Sequence, residues 1–344
     1  MTQALRFPAE WEPQSAVLLA WPHAGTDWAE RLAEVEETFI ALVAAITRFE
    51  PAVLCVGDDD IEAYARARLS SARVDMDRVR FVTVPYDDTW LRDTGPLTLV
   101  GGRDALMLDF RFTGWGGKFE AGEDDQLVER LSGMGIFSNS AVQNIDFALE
   151  GGAIDTDGQG TLLSTWRCLG ERHPDSDPDT VGRQLAEWLR QERVLWLRHG
   201  YLEGDDTDAH VDTLARFAAP DAIVYQACDD PADSHYAELQ AMAAELASLR
   251  TRDGRPYRLF PLPWPQPVID QDRRLAASYA NFLIINGAVL MPAYGDPADD
   301  AAAAVLAKAF PDREIVPVPC RPLIWQNGSL HCITMQLPEG VVAA

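Results

Sequence analysis

A regular alternation constrains this chain more than any other feature. Amphipathic helical runs at 32–46, 58–69, 123–134, 179–192, 235–249 and 299–310 are separated by short Val/Leu/Ile/Phe-rich segments and by Gly or Pro turns. In the first run Leu32, Val35, Phe39, Leu42, Val43 and Ile46 recur at helical spacing, and Glu30, Glu34, Glu36 and Glu37 lie largely on the other faces. The apolar stretches 15–21, 53–56 and 79–85 read as strands. Six helices among many short strands predict a mixed α/β fold. The Pro-rich stretch 261–267 is too short and too aromatic for a flexible tether, so one domain over 1–344 is expected.

A weaker pattern lies inside the alternation. A polar or glycine-rich cluster opens directly onto an apolar run at 87–96, at 149–155, at 203–212 and around Cys332. Four dispersed loops of similar shape are what a repeated architecture gives when each unit sends one loop to a common centre.

Charge and cysteine usage narrow the partners. Lys plus Arg number 29 and Asp plus Glu 54, a net charge of −25, so nucleic acid and anionic membrane are poor partners. Five scattered cysteines without CxxC spacing argue against a disulfide framework or a Cys-based zinc site, and fit a reducing, cytoplasmic setting. No basic leader with an apolar run opens the sequence, and no 18-residue apolar stretch occurs, so neither a secretory signal nor a membrane span is expected.

The candidate chemistry begins at Trp325–Gln336, where a Gly-containing turn runs into an alternating segment with Cys332 at the junction. Cys332 reads either as a nucleophile or as a buried core thiol. His210 and Asp212, two apart, would share a face if the run into Phe217 is a strand, and a His beside a carboxylate is a proton-transfer unit. The competing reading takes Asp206, Asp208, His210 and Asp212 as alternating metal ligands. Asp93 follows Trp90 and Arg92 beside a Gly-Pro turn; it either satisfies backbone donors or meets a planar cation against an aromatic face. Glu150 precedes Gly151-Gly152, again either a solvated turn acid or a delivered carboxylate. One thiol, one His and at least three carboxylates select a cation, and the electrophile that suits them is a guanidinium carbon.

Seven ordered motifs then resemble the agmatine deiminases and the related bacterial peptidyl-arginine deiminases: 8–13 (PAEWEP), 90–96 (WLRDTGP), 114–118 (GWGGK), 149–152 (LEGG), 210–212 (HVD), 278–282 (SYANF) and 331–334 (HCIT). The resemblance implies the pentein fold, a five-bladed pseudo-symmetric α/β propeller of ββαβ units with a central site. By the same resemblance Cys332 is the nucleophile, His210 the general acid/base, and Asp93 and Asp212 the guanidinium-gripping carboxylates. Glu150 holds His210 or the substrate, Trp90 walls the pocket, and Asp206 joins the substrate-binding set.

Agmatine is the implied substrate, hydrolysed to N-carbamoylputrescine and ammonia without metal or organic cofactor. Free or peptidyl arginine is the alternative, and it would need a carboxylate or backbone donor such as Arg that the sequence does not place. More distant alternatives are an amidinotransferase, a Cys-His amide hydrolase and a non-enzymatic metal-binding protein. A homodimer is implied by the resemblance alone. The chain departs from the common family pattern at Asp208-Ala209, Ala153, Asp155 and 327–330, positions expected to flank the pocket.

Overall fold

The computed structural model describes residues 4–102, 104–138 and 140–342. One connectivity recurs through it. Leu97–Gly101 pairs antiparallel with Asp104–Arg111, which pairs parallel with Ser140–Ala148. The same hairpin followed by a parallel third strand is built from Ile154–Thr156, Thr161–Thr165 and Arg193–Leu197. It returns in Ala215–Ala219, Ala222–Gln226 and Arg258–Leu262, and in Leu283–Ile285, Ala288–Ala293 and Glu314–Pro319. Antiparallel neighbours need only a tight turn, whereas a parallel neighbour needs a crossover, and the helices predicted from periodicity supply it.

Besides a two-stranded ribbon of Ile269–Asp270 and Arg273–Arg274, a fifth sheet joins the two ends of the chain. Met335–Pro338 lies antiparallel on Gln14–Ala20, which continues in parallel to Ala52–Val56 and Val79–Thr83. These five sheets are mixed, and among the described residues none closes on itself. The pairing draws the segment before Met335, with Cys332, toward the N-terminal segment that carries Glu10.

The helices fall where the apolar spacing places them, with shifted ends. Leu32–Thr47 buries Val35, Phe39, Leu42, Val43 and Ile46. Asp59–Ser71 starts at Asp58, whose carboxylate accepts from Ile61 N. The run at 123–134 becomes a helix only over Leu127–Gly133, because Asp124 and Asp125 turn back to accept backbone N–H groups of Asp87 and Phe112 at 2.9 and 2.6 Å. Pro178–Trp188, Tyr236–Ser248 and Asp299–Ala309 complete the set. Besides the single-turn helices Leu91–Thr94 and Gly114–Gly117, one helix escaped the periodicity: Trp166–Arg172, two turns long and capped by Thr165, which carries Cys168 and Arg172 to the site.

Two local expectations are corrected. Residues 211–213 form a single 3-10 turn ahead of the strand Ala215–Ala219, so His210 and Asp212 share no strand face. The final strand starts at Met335, leaving Cys332 in the preceding turn rather than at its mouth.

Candidate active site

Cys332 is 4 % exposed, at the floor of a cavity of about 810 Å³. Its Sγ lies 3.2 Å from Asn281 Nδ2, which donates to it, and 3.5 Å from Asp212 Oδ2. Burial, then Asp212 and Asp93, push the thiol pKa well above its ordinary value. The cysteine carbonyl accepts from Arg92 N at 3.1 Å, so the turn that carries Cys332 and the short helix Leu91–Thr94 are tied through their backbones.

That tie places Asp93 beside the thiol. Asp93 Oδ1 accepts from Gly152 N and Oδ2 from Trp115 Nε1, each at 2.9 Å. Gly152 has no room for a side chain: a β-carbon there would sit 2.6 Å from His210 Nδ1 and 2.9 Å from Asp93 Oδ1. Burial, with Asp212 and Glu150 adding to it against His210 and Trp115, raises the Asp93 pKa to about 6. Asp212 is fully buried yet stays below the usual carboxylate range, because His331, His210 and Arg216 outweigh its desolvation. Its Oδ2 bonds His331, and among the described residues no protein group bonds Oδ1.

His210 sits between two acids, Nδ1 3.7 Å from Asp93 Oδ1 and Nε2 3.7 Å from Glu150 Oε2. Burial works against a charged ring, but Asp93, Cys168 and Glu150 outweigh it and hold the His210 pKa well above that of a free histidine. Glu150 stays low although buried, because His210 and Arg172 stabilise its charge. Arg172 Nε donates to Glu150 Oε1 at 2.6 Å, and its Nη1 reaches Asp208 at 2.7 Å.

Trp90 and Asp206 line the cavity. Asp206 Oδ2 accepts from Asn327 Nδ2 at 2.8 Å, and burial raises its pKa. The four-ligand metal reading fails on geometry. Asp208 is taken by Lys118 and Arg172, Asp206 faces Asn327, and His210 lies between Asp93 and Glu150. Among the described residues, the His/Cys/Asp/Glu atoms that cluster at metal-ligand spacing are instead those of Glu150, Cys168 and His210.

The seven motifs also hold site residues to which the sequence assigned no role. Asn281 touches Cys332, Trp115 holds Asp93, and His331 joins Asp212 to Glu10. Their motifs were visible, but the partners lie 22 to 321 residues away. An arginine is present at the cavity after all: Arg273, whose guanidinium donates to Asn327 Oδ1 at 2.7 Å and to the Trp325 carbonyl. Of the departures expected to flank the pocket, Asn327 does so, while Asp155 lies behind the site, 3.3 Å from Arg216 and accepting from Phe217 N. All five cysteines are unpaired and buried, and among the described residues no helix is long and apolar enough to cross a membrane.

Residues 6–338 match the profile of the Porphyromonas-type peptidyl-arginine deiminases. The agmatine deiminase of Stutzerimonas stutzeri is 35 % identical over 97 % of this chain and 96 % of its own length. A Porphyromonas gingivalis structure, assigned provisionally as an arginine deiminase, is 45 % identical, covers 99 % of this chain and 100 % of that one, and superposes with a TM-score of 0.92. The C. jejuni agmatine deiminase, solved as a cysteine-to-serine variant with substrate bound, is 32 % identical over 98 % of this chain and 97 % of that one, with a TM-score of 0.90. Fold and sequence agree: the chain belongs to the Porphyromonas-type peptidyl-arginine deiminase family, together with the agmatine deiminases.

Proposed function

We propose that this protein is an agmatine deiminase, hydrolysing the guanidinium of agmatine to N-carbamoylputrescine and ammonia. The observation that carries the reading is the seating of Cys332, Asp93 and Asp212 around one small volume, with His210 against Asp93. The chemistry is that of a hydrolase acting on an amidine C–N bond, as in the relatives. Asp93 and Asp212 Oδ1 grip the guanidinium. Its positive charge offsets the two carboxylates that hold Cys332 as a thiol, and Asp212 Oδ2, at 3.5 Å, is the nearest acidic oxygen to take the thiol proton.

Sulfur attacks the central carbon. His210, protonated at rest because of its acidic neighbours, gives its proton to the departing ammonia. The neutral ring then takes a proton from water, whose oxygen attacks the amidino-thioether, and collapse expels the Cys332 thiolate with the carbamoyl product. Glu150 steadies the imidazolium and Arg172 steadies Glu150.

Agmatine is favoured over arginine by the charges around the cavity. Asp27, Asp87, Asp88, Asp93, Glu120, Asp124 and Asp206 line it against Lys118 and Arg273. Both cations are already spent, Lys118 on Asp208 and the Asp206 carbonyl, Arg273 on Asn327 and the Trp325 carbonyl. A second positive charge on the substrate fits such a mouth better than a carboxylate does. We read the five similarly connected sheets as the blades of a propeller around this site, and 1–344 as one catalytic domain acting in a reducing compartment as a homodimer.

Ammonia release on agmatine, free arginine and an arginyl peptide, with Cys332→Ser as control, tests the reading. Release from agmatine alone, abolished in the variant, is expected. Release from arginine or the peptide alone would move the protein to the arginine branch, and activity retained by the variant would overturn the mechanism.

A further inference from the structure

Behind Asp212 lies a buried chain of charges that the catalytic reading leaves unused. His331 Nδ1 is 2.8 Å from Asp212 Oδ2, and its Nε2 is 2.9 Å from Glu10 Oε1. Arg216 pairs with the other oxygen of Glu10, Arg92 Nη1 lies 3.2 Å from Glu10 Oε1, and Gln336 Nε2 donates to Glu10 Oε2 at 3.0 Å. The His331 backbone N–H donates to Asn281 Oδ1 at 2.9 Å, which fixes the turn that carries Cys332.

Both ring nitrogens are therefore within hydrogen-bond distance of a carboxylate oxygen, and each such contact needs a hydrogen between the two atoms. A neutral imidazole has one N–H, not two. The three side chains must share one proton more than a neutral ring and two carboxylates contain. Cations other than His331 favour the ionised form of both acids: Arg216 and Arg92 pair with Glu10, and His210 and Arg216 act on Asp212. The proton therefore belongs to the ring. Burial, Arg216 and Arg92 lower the His331 pKa against the pull of Glu10 and Asp212. Losing the proton, however, would set a nitrogen lone pair against a carboxylate oxygen where His331 and Asp212 are buried and the Glu10 side chain is only 15 % exposed, which is the costlier arrangement.

We infer that His331 is held doubly protonated between Glu10 and Asp212, and that Glu10 and His331 are positioning residues acting on Cys332 through Asp212. The imidazolium fixes Asp212 Oδ2 and leaves Oδ1 for the substrate. It also cancels part of the negative charge 3.5 Å from the sulfur, which otherwise opposes the thiolate. The protonation state stands whichever guanidine is the substrate; its effect on Cys332 rests on the nucleophile reading above.

Nitrogen-15 NMR of histidine-labelled wild-type protein tests this, with His331→Gln identifying the His331 resonances among the six histidines. Both His331 nitrogens are expected at protonated shifts throughout the neutral range. An unprotonated nitrogen in the wild type at pH 7 would overturn the inference. In Glu10→Gln the ring is expected to become a single-proton tautomer, and alkylation of Cys332 by iodoacetamide at pH 8 to slow about tenfold, as a tenfold smaller thiolate fraction requires. A folded Glu10→Gln protein whose His331 signals and alkylation rate are unchanged would contradict the role given to Glu10.

Discussion

Gly328 lies so close to the face of Trp90 that a β-carbon added to it would sit 2.1 Å from the indole Cζ3. Trp90 cannot yield easily, because Trp28 packs on it with ring centroids 5.5 Å apart and is itself pinned by Thr89. Gly328→Ala should therefore move the indole into the cavity. We expect kcat/KM for agmatine to fall about 10-fold to 100-fold, the penalty typical of a misplaced positioning group, with the circular dichroism spectrum kept. Unchanged kinetics would show that Trp90 is not a wall of the substrate site.

The cavity acids give substrate binding a defined pH dependence. Burial raises Asp88 to about 8, helped by Asp27 and Asp124, and it raises Asp124 to about 7. A bound cation favours the ionised form, so binding should release protons, and KM for agmatine should fall as pH rises from 6 to 8. Calorimetry in buffers of different ionisation enthalpy should detect net proton release. Net uptake in that range would contradict the acidic-mouth account.

Asp88 also sets a stability trend. Its folded pKa, about 8, lies above its unfolded value of 3.8, so its contribution is fully present below about pH 4 and is lost as pH rises through 8. Asp88→Asn keeps the acceptor used by Thr89 N. It should remove this slope and leave the variant more stable than wild type at pH 9, by about 1.4 kcal/mol for every pH unit that separates the folded and unfolded titrations. Urea melts at pH 5 and 9 measure the difference, and parallel curves would refute it.

Arg172 joins Glu150 to Asp208 while nearly inaccessible to solvent. Removing one partner of a buried ion pair strands the other, which costs about 3–5 kcal/mol. Arg172→Met should lose stability on that scale and raise the Glu150 pKa, shifting the acidic limb of the activity profile to higher pH. A variant with wild-type stability would mean that the pair is replaceable by packing.

The helices were legible because each buries one apolar stripe, as Val35, Phe39 and Val43 do. Trp166–Arg172 was not, since two turns are too short for a period to register. The candidate site was readable as residue types next to turns: Cys332, His210, Asp93, Asp212 and Glu150 all converge. Their partners were not, because Glu10 reaches His331 across 321 residues and no local pattern encodes that contact. The Asp208-Ala209 departure becomes intelligible only from the backbone. Both residues have φ near +70°, the left-handed region that favours Asn and Gly, and Asp205 holds the turn through Ala209 N at 2.7 Å.

The central claim is the covalent step at Cys332, and mass spectrometry of acid-quenched enzyme after mixing with agmatine reaches it directly. The account predicts an adduct on the Cys332 peptide weighing agmatine less one ammonia, absent from Cys332→Ser. An adduct of the bare amidino group would signal transfer chemistry. A modified cysteine other than Cys332, or turnover by Cys332→Ser, would contradict the account.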